Sequence, residues 1–182
     1  MHNSESVEIE ICSFEKSMSK GLSELIMNFD FKPYCEYGIE KGRLVRYVLD
    51  DVLRSLSRTE NCVLVAEEKG KPVGLVSLER LDWDTEHFGI EMAIIRYLVA
   101  EGDYHRSFDI KSALLLHLIS RCSEKRISHI TSKAHAEDLS SVHALENHGF
   151  RIMDTMVTYS YSSGAPSYGN ALNIPKKELI EF

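Results

Sequence analysis

The chain has 182 residues, 43% of them hydrophobic and 27% charged, with 28 acidic against 21 basic side chains and a formal net charge of −7. That length suits one domain with a real core, and no apolar run approaches the roughly 18 residues that a membrane span needs. The acidic balance opposes a nucleic-acid backbone, so neither nucleic acid nor a membrane is an expected partner.

The opening, MHNSESVEIEIC, lacks the basic start and apolar centre of a secretory leader, which sets the expected location in the cytoplasm. Val7 to Cys12 alternates as a short, half-buried edge strand. Glu15 to Asp30 returns Met18, Leu22, Leu25, Ile26 and Phe29 at helical spacing, and Glu40 to Leu56 does the same with Leu44, Val45, Val48 and Val52. Pro33 breaks the two helices apart, leaving Phe31, Tyr34 and Tyr37 either to fill the core or to wall a substrate groove. Asn61 to Glu67 and Val73 to Glu79 read as antiparallel strands joined by a turn over Glu68 to Pro72.

Leu81 to Gly89, LDWDTEHFG, crowds acids around Trp83, His87 and Phe88. Two readings apply: a loop whose aromatic residues anchor in the core, or a polar cluster in which Trp83, Asp84 and His87 orient a sugar ring. The next stretch, Gly89 to Glu124, organises the chain. It reads as a central strand over Met92 to Val99, a polar loop, and an apolar helix carrying Ala113, Leu114, Leu115, Leu118, Ile119 and Cys122, with Ser107 or Asp109 as N-cap. Such a unit points unpaired backbone N–H groups and a helix dipole at the strand's carboxyl edge, which suits a phosphate.

Ser128 to Ala134 reads as a strand, and Glu137 to His148 as a helix with Leu139, Val142, His143 and Leu145 inward and Gly149 as its stop. Phe150 to Tyr161 reads as a long strand. The order is therefore β-α-α-β-β-β-α-β-α-β, a mixed α/β fold with a single domain over residues 1–161 and a linker-like tail over 162–182. The scattered Cys12, Cys35, Cys62 and Cys122 read as reduced thiols, and the histidines lack a metal-ligand spacing, so no metal site is expected.

Three segments in this order resemble the GCN5-related N-acetyltransferase (GNAT) superfamily: VLVAEEKGKPVGLVSL as its hairpin, RSFDIKSALLLHLI as its pyrophosphate loop and helix, and DLSSVHALENHGF as its helix ending in Gly-Phe. A narrower likeness over Leu81 to Tyr161 is to the amino-terminal lobe of dTDP-fucosamine acetyltransferase-like proteins, a lobe that does not carry the chemistry in that group. The resemblance implies a central mixed sheet flanked by helices, acetyl-CoA as cofactor, and direct transfer of an acetyl group to a small amine, with an amino sugar nucleotide as a candidate acceptor.

It further implies that Tyr97, Leu98 and Val99 hold the thioester and that Arg106, Ser107, Ile110, Lys111 and Ser112 meet the diphosphate. Glu91 or Glu79 would take the amine proton, and Tyr97, Tyr104 or Tyr159 would replace the missing acid. Tyr34, Trp83, Asp84 and His87 are the acceptor-binding candidates. Two departures stand out: Asp109 and Lys111 occupy the loop's two glycine positions, and Leu145 occupies the place of the family's proton-donating tyrosine. These departures point to a rival role, a catalytically silent lobe that scaffolds, senses or dimerises with another domain, such as a second acetyltransferase domain or another copy of the chain.

Overall fold

The computed structural model describes residues 9–31 and 38–156. β1 (Glu10–Ser13) is followed by a 3-10 turn (Lys16–Met18), α1 (Ser19–Asn28) and α2 (Lys41–Ser55). Then come β2 (Cys62–Glu68), β3 (Lys71–Arg80), α3 (Asp82–Phe88), β4 (Met92–Ala100), α4 (Tyr104–Glu124), β5 (His129–Ser132) and α5 (Leu139–Asn147). The strands lie in the order 1-2-3-4-5, antiparallel as far as β4, with β5 parallel to β4. The sheet is thus mixed, and β4 is an interior strand.

Alternation along the strands builds a core on each face. Leu64, Ala66, Val76, Leu78, Ala93 and Ile95 pack with Ile110, Leu114, Leu115 and Leu118 of α4 and with Ala144 and Leu145 of α5. Val63, Val65, Leu75 and Val99 pack instead with Leu22, Leu25 and Ile26 of α1 and with Leu44, Val45, Val48 and Val52 of α2. The β2–β3 hairpin closes through Lys69 and Gly70, both at positive φ (52° and 75°), the two-residue turn that matches strand twist. α4 lies so close to β3 that a β-carbon on Gly74 would sit 2.4 Å from Ile110 Cγ2.

Three expectations change. LDWDTEHFG is a helix rather than a loop: Gly89, at φ 69°, supplies a left-handed C-cap, and its N–H donates to Thr85 O at 2.9 Å. Its aromatic residues do not anchor in the core, because Trp83 and Phe88 are exposed. α4 begins at Tyr104, so most of the expected polar loop is already helical. Its N-cap is Asp103, whose side chain accepts from Arg106 N at 3.0 Å, and neither Ser107 nor Asp109 caps it.

The strand expected over Phe150 to Tyr161 does not form over residues 150–156, and its remainder lies outside the described residues. The backbone divides into compact units at Met1–Arg151 and Ile152–Phe182, and the described part of the second, residues 152–156, has no regular element. Among the described residues no helix is long and apolar enough to cross a membrane.

Candidate active site

β4 and β5 pair only from Met92 opposite His129 to Ile95 opposite Ser132. Beyond that point β4 continues to Ala100 while β5 stops, so the two strands part. β4 also carries one extra residue there: Tyr97 faces Ser77 and Ile95 faces Leu78, leaving Arg96 unpaired as a bulge. Glu101 N donates to Val73 O at 2.9 Å, so strand alternation turns the amide of Val99 toward β3 and those of Leu98 and Ala100 toward the open side.

That open edge forms one wall of a cleft of about 870 Å³. Phe29 and Phe31, Ser107 and Lys111 of α4, and Lys133, Asp138, Ser140 and Leu145 also line it. Of the site residues singled out from the sequence, Phe31, Tyr97, Leu98, Val99, Tyr104, Ser107, Lys111 and Leu145 line this cleft together. Glu79, Glu91, Arg106, Ile110, Ser112, Trp83, Asp84 and His87 do not line it, and Tyr34 lies outside the described residues.

The positions of these side chains follow from their partners. Arg106 grips Glu68 with two donors, at 2.8 and 3.3 Å, and reaches Glu101 at 3.2 Å. The Glu68 carboxylate is held below its usual pKa by this bond from Arg106, and the guanidinium is raised in return. Lys111 is 1% exposed, and its ammonium donates to Asp138 Oδ1 and Oδ2 at 3.0 and 3.2 Å and to Ser140 Oγ at 2.8 Å. Burial pushes the Lys111 pKa down against the upward pull of Asp138. Ser107 Oγ meets Ser140 Oγ at 3.1 Å, so a polar seam ties α4 to the start of α5 along the cleft wall. Ile110 is buried in the core, and Ser112 Oγ is buried with no hydrogen-bond partner among the described residues.

Tyr97 donates its hydroxyl to Asp51 Oδ2 at 2.8 Å; burial first, then this bond, raises the phenol far above its ordinary range. Phe31 stands edge-on to its ring, with centroids 6.4 Å apart. Glu79 pairs with Arg96 at 3.1 Å, and Arg96 does line the cleft. Glu91 is clamped by Arg80 at 2.8 and 3.1 Å, and that clamp lowers its pKa. A carboxylate so paired is a weak proton acceptor.

One cleft residue that makes several of these contacts, Asp138, was not singled out from the sequence. Asp138 is the N-cap of α5 and accepts from Ser141 N at 3.1 Å and Ser141 Oγ at 2.6 Å. The run Asp-Leu-Ser-Ser carries the signal for this cap, but its pairing with Lys111, 27 positions earlier, follows only from the packing of α5 on α4. His143, expected in the core, is exposed, and its Nδ1 meets Tyr104 OH at 2.7 Å. Leu145, which the resemblance sets at the proton donor's place, lines the cleft and brings no hydroxyl to it. Among the described residues no three His, Cys, Asp or Glu side chains gather as a metal site.

The model of the acetyltransferase (GNAT) family matches residues 24–150. Comparison with curated proteins finds no match. Among solved structures, the chain is similar to a Trypanosoma brucei acetyltransferase at 19% identity, with 85% of this chain and 100% of that one covered and a TM-score of 0.59. It is similar to a ribosomal-protein-alanine N-acetyltransferase from Brucella melitensis, with 15% identity, 85% and 100% coverage and a TM-score of 0.60. It is also similar to glucosamine-6-phosphate N-acetyltransferase from Arabidopsis thaliana, with 14% identity, 85% and 99% coverage and a TM-score of 0.59. At such identities these likenesses speak for the fold alone, whereas the family model spans well over half of the sequence. This chain belongs to the acetyltransferase (GNAT) family.

Proposed function

We propose that the protein is an acetyl-CoA-dependent N-acetyltransferase acting on a small amine. The observation that carries this reading is the open edge of β4 in the cleft, where the amides of Leu98 and Ala100 have no strand opposite them. A pantetheine arm pairs with such an edge as a strand would, and an amide there can polarise a thioester carbonyl. The amine nitrogen attacks the carbonyl carbon, the C–N bond forms, the C–S bond breaks, and the thiolate takes a proton.

Of the residues proposed as base, Glu79 is better placed than Glu91, because its partner Arg96 reaches the cleft while Glu91 is locked by Arg80. Tyr97 is proposed as a wall of the thioester site rather than as the acid, since its proton is committed to Asp51. Tyr104 lines the cleft with its hydroxyl on His143 and is the proposed donor to the thiolate. An amino sugar nucleotide is the proposed acceptor. It rests on the likeness of Leu81 to Tyr161 noted in the sequence, and the proposed location is the cytoplasm.

A second reading is favoured by specific contacts. Arg106 is already neutralised by Glu68 and Glu101, Lys111 by Asp138, and Leu145 offers no proton. These features suit a lobe that keeps the fold and gives up the reaction, serving a second domain or another copy of the chain. Calorimetric titration with acetyl-CoA separates the two. Micromolar binding, followed by turnover in an amine screen, supports the enzyme; no heat up to about millimolar cofactor, less than roughly 4 kcal/mol of binding, supports the silent lobe.

A further inference from the structure

Helix α3 has its polarity reversed. Its buried residue is Thr85, whereas Trp83 is 67% exposed, Phe88 58%, and Ile90, two residues past the helix, 47%. A surface helix ordinarily turns its apolar side chains to the core, and apolar groups left together in water signal a surface that something covers.

Polar contacts hold this helix in place. Met92 N donates to Thr85 Oγ1 at 3.1 Å, and Asp82 is gripped by Arg58 at 2.6 Å and by Arg80 at 2.7 Å. The rings on the outer face are ordered against one another: Trp83 stacks on His87 with centroids 4.8 Å apart and planes 9° apart, and Phe88 stands edge-on to both. Beside them, the carboxylates of Asp84 and Glu86 have no ion pair or hydrogen bond among the described residues. None of these residues lines the cleft.

We infer that this face of α3 docks a segment of a partner protein, one that presents an apolar side chain flanked by lysine or arginine. A preordered apolar centre built on a tryptophan, with a charged rim, is the anatomy of an interface hot spot. The sign of the rim selects a basic partner. A second copy would set Asp84 and Glu86 against their own counterparts, with a net charge of −7 on each chain. A sugar would use one face of Trp83, but His87 already covers the other, and Phe88 and Ile90 would stay wet.

Trp83 is the only tryptophan, so its fluorescence reports on this face alone. The probes are a lysine-flanked dileucine heptapeptide, its glutamate-flanked counterpart, and a glucosamine oligosaccharide. The lysine peptide should shift Trp83 emission to the blue and saturate below about 1 mM, and the glutamate peptide should not. Phe88→Ser should weaken that binding at least about fivefold, and the solvent-facing Asp84→Asn/Glu86→Gln pair should erase the preference for lysine over glutamate. The inference is overturned by any of four results: no saturable shift with the lysine peptide, equal response to the two peptides, a shift produced by the oligosaccharide alone, or self-association in sedimentation that shields Trp83 from quenching.

Discussion

Lys111 Nζ donates to both carboxylate oxygens of Asp138, from a side chain that is 1% exposed. One residue lies inside α4 and the other caps α5, so this pair fixes the two helices that form one side of the cleft. Phe29 stands 5.5 Å from the same ammonium and contributes a cation–π contact.

Removing one member of such a pair strands the other. Lys111→Met should cost about 2 kcal/mol in urea unfolding, less than the roughly 3–5 of a fully buried pair, because Asp138 keeps 27% of its side chain in contact with solvent. The double change Lys111→Met/Asp138→Asn should recover most of that loss, since Asn caps a helix about as well as Asp and carries no charge. A double variant as unstable as the single one would show that the ion pair is not what Lys111 contributes.

Arg106 poses a competition between the protein's own carboxylates and the cofactor. If its guanidinium meets a diphosphate, it must first leave Glu68 and Glu101. Glu68→Gln should therefore tighten acetyl-CoA binding severalfold, because an exposed pair of this kind is weak, while Arg106→Ala should weaken it. Unchanged affinity in Glu68→Gln, read by calorimetry, would remove Arg106 from the diphosphate site.

Much of this arrangement was legible in the sequence, and the reasons for the rest are physical. The apolar run Val63 to Ala66 and the helical spacing in Leu44 to Val52 depend on neighbours one to four positions away, so these elements and their order along the chain could be read. α3 was misread because its acids look like loop chemistry, although Asp82 at its start and Gly89 at its end are helix signals. α4 starts early because Asp103 caps it, a choice between Asp103, Ser107 and Asp109 that composition alone leaves open. The pairings of Lys111 with Asp138, Tyr97 with Asp51 and Arg106 with Glu68 span 27, 46 and 38 positions, and no local pattern encodes them.

Acid should destabilise the fold through identifiable groups. Hydrogen bonds from Arg106, Arg58 and Arg80 lower the pKa values of Glu68, Asp82 and Glu91 respectively. For Asp138, burial acts upward but is outweighed by Ser141, Lys111 and Ser140. A carboxylate with a depressed folded pKa stabilises the fold above its unfolded value of about 4 and loses that contribution as pH falls through the folded value. The urea midpoint should thus be flat from about pH 7 to 5 and fall steadily below about pH 4. Lys111→Met/Asp138→Asn should fall less steeply than the wild type, and an equal slope would mean that Asp138 takes no part.

The close approach of α4 to β3 at Gly74 sets the last prediction. A methyl group at position 74 would sit 2.4 Å from Ile110 Cγ2, 3.0 Å from Leu114 Cδ1 and 3.2 Å from Ala66 Cβ. All three neighbours belong to side chains that are 0% exposed, and Ile110 Cγ2, attached directly to its β-carbon, yields little unless α4 moves away from β3. Gly74→Ala should cost about 1–3 kcal/mol as overpacking, even though alanine is ordinarily the better strand residue. Because α4 also carries Lys111 and Ser107 into the cleft, the same shift should weaken acetyl-CoA binding. The double variant Gly74→Ala/Ile110→Ala, which removes the nearest obstruction, should be more stable than the sum of its single changes, the mark of two sites in contact. Strict additivity in urea unfolding would mean that the backbone, rather than Ile110, absorbs the added methyl group.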